Sequence, residues 1–285
     1  MQSQSQIAFD FVRSLAAELS RGHVDLPSFP EIALRVRKVL ADSNSTIEQV
    51  VRVVGSEPAL SARLLRIGNS ASLNRSGKQI TELRTAISRI GYNMVRSAAI
   101  SFAMHQMRHN DKLVTHKQFL HDLWERSTVV AAYAYVLARG FSKVNPDEAM
   151  LTGMMHGIGK LYILTRATDH PELFPSAAAV EELINDWHAS IGKAILENWD
   201  FPESMAQVVG EQNDTSRQHE GPPDLGDVVG VAILIASSGT DFAALEASLR
   251  ESDAAKRLGL DESKTFAVMQ DSAAEVTALS NALGG

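Results

Sequence analysis

Apolar residues recur every three or four positions along almost the whole chain, and β-branched alternation is scarce. A period of three to four places one apolar stripe along a helix, whereas a half-buried strand needs a period of two. The 285 residues therefore have to build their core from helices laid on helices. Ile32, Val36, Val39 and Leu40 form one such stripe, with Pro30 placed for a first turn. Ser45 and Glu48 have capping-box spacing, which predicts a helix that buries Ile47, Val50, Val51 and Val54 and ends at Gly55. Glu57-Pro58 opens a third helix, and 68–77 reads as a polar loop. Further helices are expected at 83–90 and 94–107, divided at Gly91, and at 118–139, 146–163, 177–199, 202–212, 225–237, 243–249 and 264–283. Segment 214–224 is the clearest loop, and no repeat of fixed period appears.

Several function classes drop out on composition and motif. Cysteine is absent, which excludes disulfides, thiolate zinc sites, iron–sulfur clusters and cysteine nucleophiles. No G-x-S-x-G elbow and no G-x-G-x-x-G or Walker-type loop occurs. The most apolar stretch, 228–236, is far short of the roughly 20 residues that span a bilayer, and the start, MQSQSQ, has no secretory character. The expectation is a cytoplasmic chain with no membrane contact.

Charge is uneven. The net charge is −7, yet residues 58–108 carry eight basic side chains and a single acid, Glu82. A basic segment on an acidic protein marks either an anion site or solvated helix faces paired with acids elsewhere. Two aromatics, Tyr92 and Phe102, are poor equipment for stacking bases. Arg63, Arg66, Arg84, Arg89 and Arg96 have spacings too mixed for one face. Some are expected to pair with acids of the C-terminal lobe and some to stay exposed, so nucleic acid is not the expected partner. His105 and His109 share a helix face but lack a third metal ligand.

Several motifs in order resemble the HDOD family, the HD-related output domains of bacterial signalling. LPSFPEIALRVRKVL resembles the opening helix. TIEQVVRVVGSEPALSARLLRIGNSA resembles the most specific stretch, with Pro58, Leu60, Leu64, Leu65, Asn69 and Ser70. TELRTAISRIGYNMVRS follows with Ala86 and Gly91, then LWERS, MMHGIGK and WHASIGKAILENWDFPE. The resemblance implies an all-α, two-lobed helical HD-like fold. It divides the chain into a lead-in at 1–23, a domain at 24–216 with lobes at about 24–110 and 111–216, and C-terminal helices at 217–285 packing on the second lobe. The third helix is expected to pack through Leu60, Leu64 and Leu65. Asn69 is expected to tie the following loop to a neighbouring helix.

HD-type relatives hold metal on histidines and carboxylates. The resemblance places those positions at Arg126, at His156 with Gly157, at His188, at Glu211 and Gln212, and at Ser237. Two histidines remain, and the bridging carboxylate is replaced by Gly157. A guanidinium at Arg126 repels a divalent cation. The expectation is a vestigial site with no metal, no cofactor and no catalytic residue. Arg126, with Lys160, is then expected either to hold a small anion or to seal the site by pairing with an acid such as Glu211. The resemblance implies a regulatory protein acting through a signalling partner in trans or an anionic ligand. The rivals are a residual metal-dependent phosphohydrolase acting on a nucleotide or cyclic dinucleotide, and a nucleic-acid-binding regulator.

Overall fold

The computed structural model describes residues 10, 11, 13, 14 and 17, then 30–70, 73–74, 77–107, 116–169, 176–199, 201–214, 217–239, 241–260 and 262–284. Most of the lead-in, Leu26-Pro27, Arg75, Arg108, His109 and the lobe boundary near 110 lie outside them. The described elements are all helices: α1 Glu31–Ala41, α2 Ile47–Gly55, α3 Pro58–Gly68, α4 Leu83–Met107, α5 Lys117–Phe141, α6 Pro146–Met155 and α7 Ile158–Asp169. After these come α8 Ala177–Asn198, α9 Glu203–Glu211, α10 Leu225–Ser238, α11 Phe242–Glu251, α12 Asp253–Arg257 and α13 Glu262–Gly284. None is long and apolar enough to cross a membrane.

α4 is the spine. Its first part runs to Gly91, whose φ of 77° and ψ of 165° are not helical, and the chain then resumes as a second helix. Positive φ is cheap for glycine, so the kink falls where the sequence placed it. α1, α2, α3, α5 and α6 all pack on α4. α5 in turn packs against α6, α10 and α13, and α13 also touches α3 and α4. The fold is all-α, with Val36, Leu64, Met94, Leu137, Met150 and Ile195 among its buried side chains.

Three local expectations are corrected. The capping box is Thr46–Gln49, one residue beyond Ser45–Glu48: Thr46 Oγ1 accepts from Gln49 N, and Gln49 Oε1 accepts from Thr46 N at 2.7 Å. The helix begins at Ile47, so the third helical residue is Gln49. Leu60 and Leu64 of α3 are buried, but Leu65 is half-buried and Arg63 is sealed in its stead. The Arg63 guanidinium lies 5.4 Å from the Phe102 ring centre, a contact that lets its charge be covered by an aromatic face. Finally, 146–163 is two helices, α6 and α7, broken at His156-Gly157. The His156 carbonyl is held by the Gln212 side chain at 2.9 Å, a bond from 56 residues away. The five-residue α12, too short to show a period, has no counterpart among the expected helices.

The end of α3 explains the Asn69-Ser70 pair. Asn69 Nδ2 donates to Leu65 O at 2.9 Å and Ile80 O at 2.8 Å, while its Oδ1 accepts from Ile80 N at 2.8 Å. One side-chain amide thus pairs with both backbone groups of Ile80 and pins the loop to the helix end. Ser70 Oγ donates to Ile67 O at 2.7 Å. Beside them Gly68 lies flat on Ala86; a Cβ there would stand 3.4 Å from the Ala86 Cβ. Asn69→Ala is expected to destabilise by about 1–3 kcal/mol, because Ile80 loses both partners. Urea unfolding checks it, and an unchanged midpoint would contradict the pinning role.

Candidate functional site

Five of the positions that the family resemblance singled out come from five separate elements and converge. Arg126 stands on α5, His156 at the end of α6, Lys160 on α7, His188 on α8 and Ser237 on α10. Arg126 Nη2 donates to Ser237 Oγ, and Ser237 Oγ donates to Ile233 O at 2.5 Å. Gln212 bridges the His156 carbonyl and Val209 O at 2.7 Å. Glu211 does not join them. It accepts from Gln207 at 2.8 Å and faces Arg217 at 3.4 Å, so Arg126 is not paired with Glu211. Among the described residues no carboxylate lies within ion-pair distance of Arg126 or Lys160.

Both histidines have a defined tautomer. His156 Nδ1 lies 2.7 Å from Gly153 O, and His188 Nδ1 lies 2.6 Å from Ile184 O. A carbonyl only accepts, so each Nδ1 carries the proton and each Nε2 the lone pair. His156 Nε2 is buried with no hydrogen-bond partner among the described residues. Burial drives the His156 pKa down to about 3, opposed by the Gly153 bond and reinforced by Lys160, Arg126 and His188. His188 is also lowered, first by burial and then by Lys160. Burial lowers the pKa of Lys160, and Arg126 adds to it.

This donor set does not fit a divalent cation. Two imidazoles turn lone pairs inward, as ligands do, but two cations bear on them and no carboxylate is supplied. Gly157 offers no ligand; a Cβ there would stand 2.6 Å from Leu123 Cδ1 and 3.4 Å from Ser127 Oγ, so a side chain at this position requires Leu123 to move.

The neutral histidines set a pH dependence. Unfolded, each binds a proton below about pH 6.5; folded, His156 binds one only near pH 3. The stabilisation is complete above pH 6.5 and declines as pH falls toward 3, by about 1.4 kcal/mol per pH unit for one such group. His188 acts in the same direction. Melting temperatures between pH 7.5 and 5 should fall for the wild type and fall less steeply for His156→Gln.

The basic segment disperses. Arg84 pairs with Glu48 at 2.8 Å, Arg89 donates to Asn74 Oδ1 at 2.6 Å, and Arg96 donates to Leu40 O and lies over the Phe201 ring. Among the described residues the partners seen are on α2 and on aromatic rings rather than C-terminal acids, a planar guanidinium covering an aromatic face well. Arg66 and Lys78 are exposed.

A second polar cluster carried no sequence expectation. Asp227, buried at 1% exposure, binds Arg257 Nη2 at 2.7 Å and His219 Nε2 at 2.8 Å, and Arg217 pairs with Asp224 at 2.5 Å. His219, Asp224 and Asp227 are close enough to share a metal, but their carboxylates are already occupied by guanidinium groups. The available signal was Asp224 and Asp227 at capping-box spacing before the apolar 228–236 run; both halves of that box form.

The HDOD domain profile matches residues 26–215, two-thirds of the chain. The chain belongs to the HDOD family. Its fold is similar to that of a candidate metal-dependent phosphohydrolase from Shewanella amazonensis SB2B, with TM-score 0.69 and 25% identity over 98% of this chain and 99% of that one. It is also similar to an HDOD domain protein of unknown function from Geobacter sulfurreducens, with TM-score 0.61 and 21% identity over 95% and 97%. A curated relative, an uncharacterised protein of Treponema pallidum (strain Nichols), is 21% identical over 212 residues. This HDOD chain aligns over 68% of its own length there and spans 39% of that relative's.

Proposed function

We propose that this HDOD protein is a non-catalytic regulatory protein of signal transduction, acting through a partner protein in trans or a small anionic ligand. The observation that carries the reading is Arg126. A metal-ligand position holds a permanent cation, tied to Ser237 and set against two neutral imidazoles. Hydrolysis of the HD type needs a metal-activated hydroxide, and this site lacks both the carboxylate and the potential to hold the metal. Lys160 has no ion pair among the described residues and is the cation left to meet an anion at the edge of the site.

The test is elemental analysis and phosphodiesterase assay of the purified chain, with calorimetry against phosphate and cyclic dinucleotides. The expected result is no stoichiometric metal, no turnover, and anion binding weakened by Lys160→Ala. Stoichiometric iron, manganese or zinc with turnover abolished by His156→Ala would establish the phosphohydrolase reading instead.

A further inference from the structure

α10 carries a glycine that its packing does not require. Gly230 lies in mid-helix, where glycine weakens the helix relative to alanine. Other glycines here have a packing reason: Gly159 and Gly192 lie on the α7–α8 crossing, and Gly226 lies under the Arg217 guanidinium. A Cβ built on Gly230 meets no atom within 4 Å. The space it leaves open belongs to a cavity of about 420 Å³ between α10, the end of α9 and the α11–α12 corner. That volume is in the range of roughly 300–1,000 Å³ that small-molecule sites occupy.

The lining defines the chemistry. Val208, Val229, Ile233 and Leu234 make apolar walls around the bare Gly230 backbone. The two cations at the rim are already committed, Arg217 to Asp224 and Arg257 to Asp227. Glu251 also lines the cavity and has no ion pair among the described residues. Glu211 and Asp214 add further negative charge. The lining acids, Glu211, Asp214, Asp227 and Glu251, outnumber its two bases, Arg217 and Arg257, so the net charge of the lining is negative.

We propose that this cavity binds a small organic cation, an amine or guanidine on an aromatic or branched aliphatic body. The body packs on Gly230 between Val229 and Ile233, and the charged head meets Glu251. Gln212 lines the same cavity while holding the His156 carbonyl, so occupancy reaches the degenerate centre through one side chain.

Calorimetry on the full chain with phenethylamine, hydrocinnamamide and hydrocinnamate tests the site. The amine should bind roughly tenfold tighter than the neutral amide, the worth of one hydrogen bond to a charged group, and the carboxylate should bind weakest. Glu251→Gln should remove the preference for the amine and leave amide binding unchanged. Gly230→Leu should fill the cavity and abolish binding of both. Gly230→Ala, which leaves most of the space open, should bind normally and melt higher than the wild type. The proposal is overturned if the carboxylate binds as well as the amine, if binding survives a folded Gly230→Leu, or if Gly230→Ala lowers the melting temperature. It is equally overturned if a lysine-bearing peptide binds while the free amine does not, which would give the cavity to a partner's side chain.

Discussion

Gly159→Ala is expected to destabilise the protein by more than about 4 kcal/mol, beyond the usual cost of overpacking. A Cβ at Gly159 would stand 1.9 Å from the His188 carbonyl oxygen and 2.8 Å from both the His188 carbonyl carbon and the Gly192 amide nitrogen. All three are backbone atoms of α8, so no rotamer change relieves the clash and the two helices must separate. A Cβ on Gly192 would likewise stand 2.8 Å from Val209 Cγ1, so α9 lies close on the same crossing. Gly157→Ala makes the instructive contrast. Its 2.6 Å contact is with the free end of Leu123, which can turn away, so that variant should lose much less. Urea unfolding of the pair checks the claim. A Gly159→Ala midpoint within error of the wild type would show that the α7–α8 crossing is not built on this glycine.

Asp227→Ala is expected to cost about 3–5 kcal/mol, the range for removing one partner of a buried ion pair. Its carboxylate receives Arg257 Nε and Nη2, His219 Nε2 and the Asp224 backbone N–H, and faces Arg217 Nη1 at 3.6 Å. Removing it leaves the half-buried Arg257 without its carboxylate and takes away one half of the α10 capping box, the Asp224 N–H bond, while the Asp224 cap on the 227 backbone N–H remains. The cost belongs to the orphaned charge more than to the lost bond, so Asp227→Ala with Arg257→Leu should recover part of it. If the double variant is as unstable as the sum of the singles, the two residues do not act as a pair.

Most of what depends on neighbours along the helix was readable in the chain, although the cap of α2 lies one residue beyond the expected one and α12 was not foreseen. The three-to-four period gave the helices, Pro58 and Gly55 gave ends, and Gly91 gave the kink, because each acts through its own backbone or the next turn. The order of motifs gave the family, and the resemblance together with the chemistry of Arg126 and Gly157 gave the expectation of no metal. Partner choice was not readable. Arg126 meets Ser237 rather than Glu211, Arg217 takes Glu211, and Gln212 holds the carbonyl at the 156–157 break from 56 residues away. Arg63 falls inside and Leu65 half outside because α3 packs on α4 and its neighbours through one side of its stripe, a choice made by distant segments. Periodicity records which face of a helix is apolar, whereas the crossings of α5, α7, α8 and α10 fix which side chains from distant segments come within a hydrogen bond of one another.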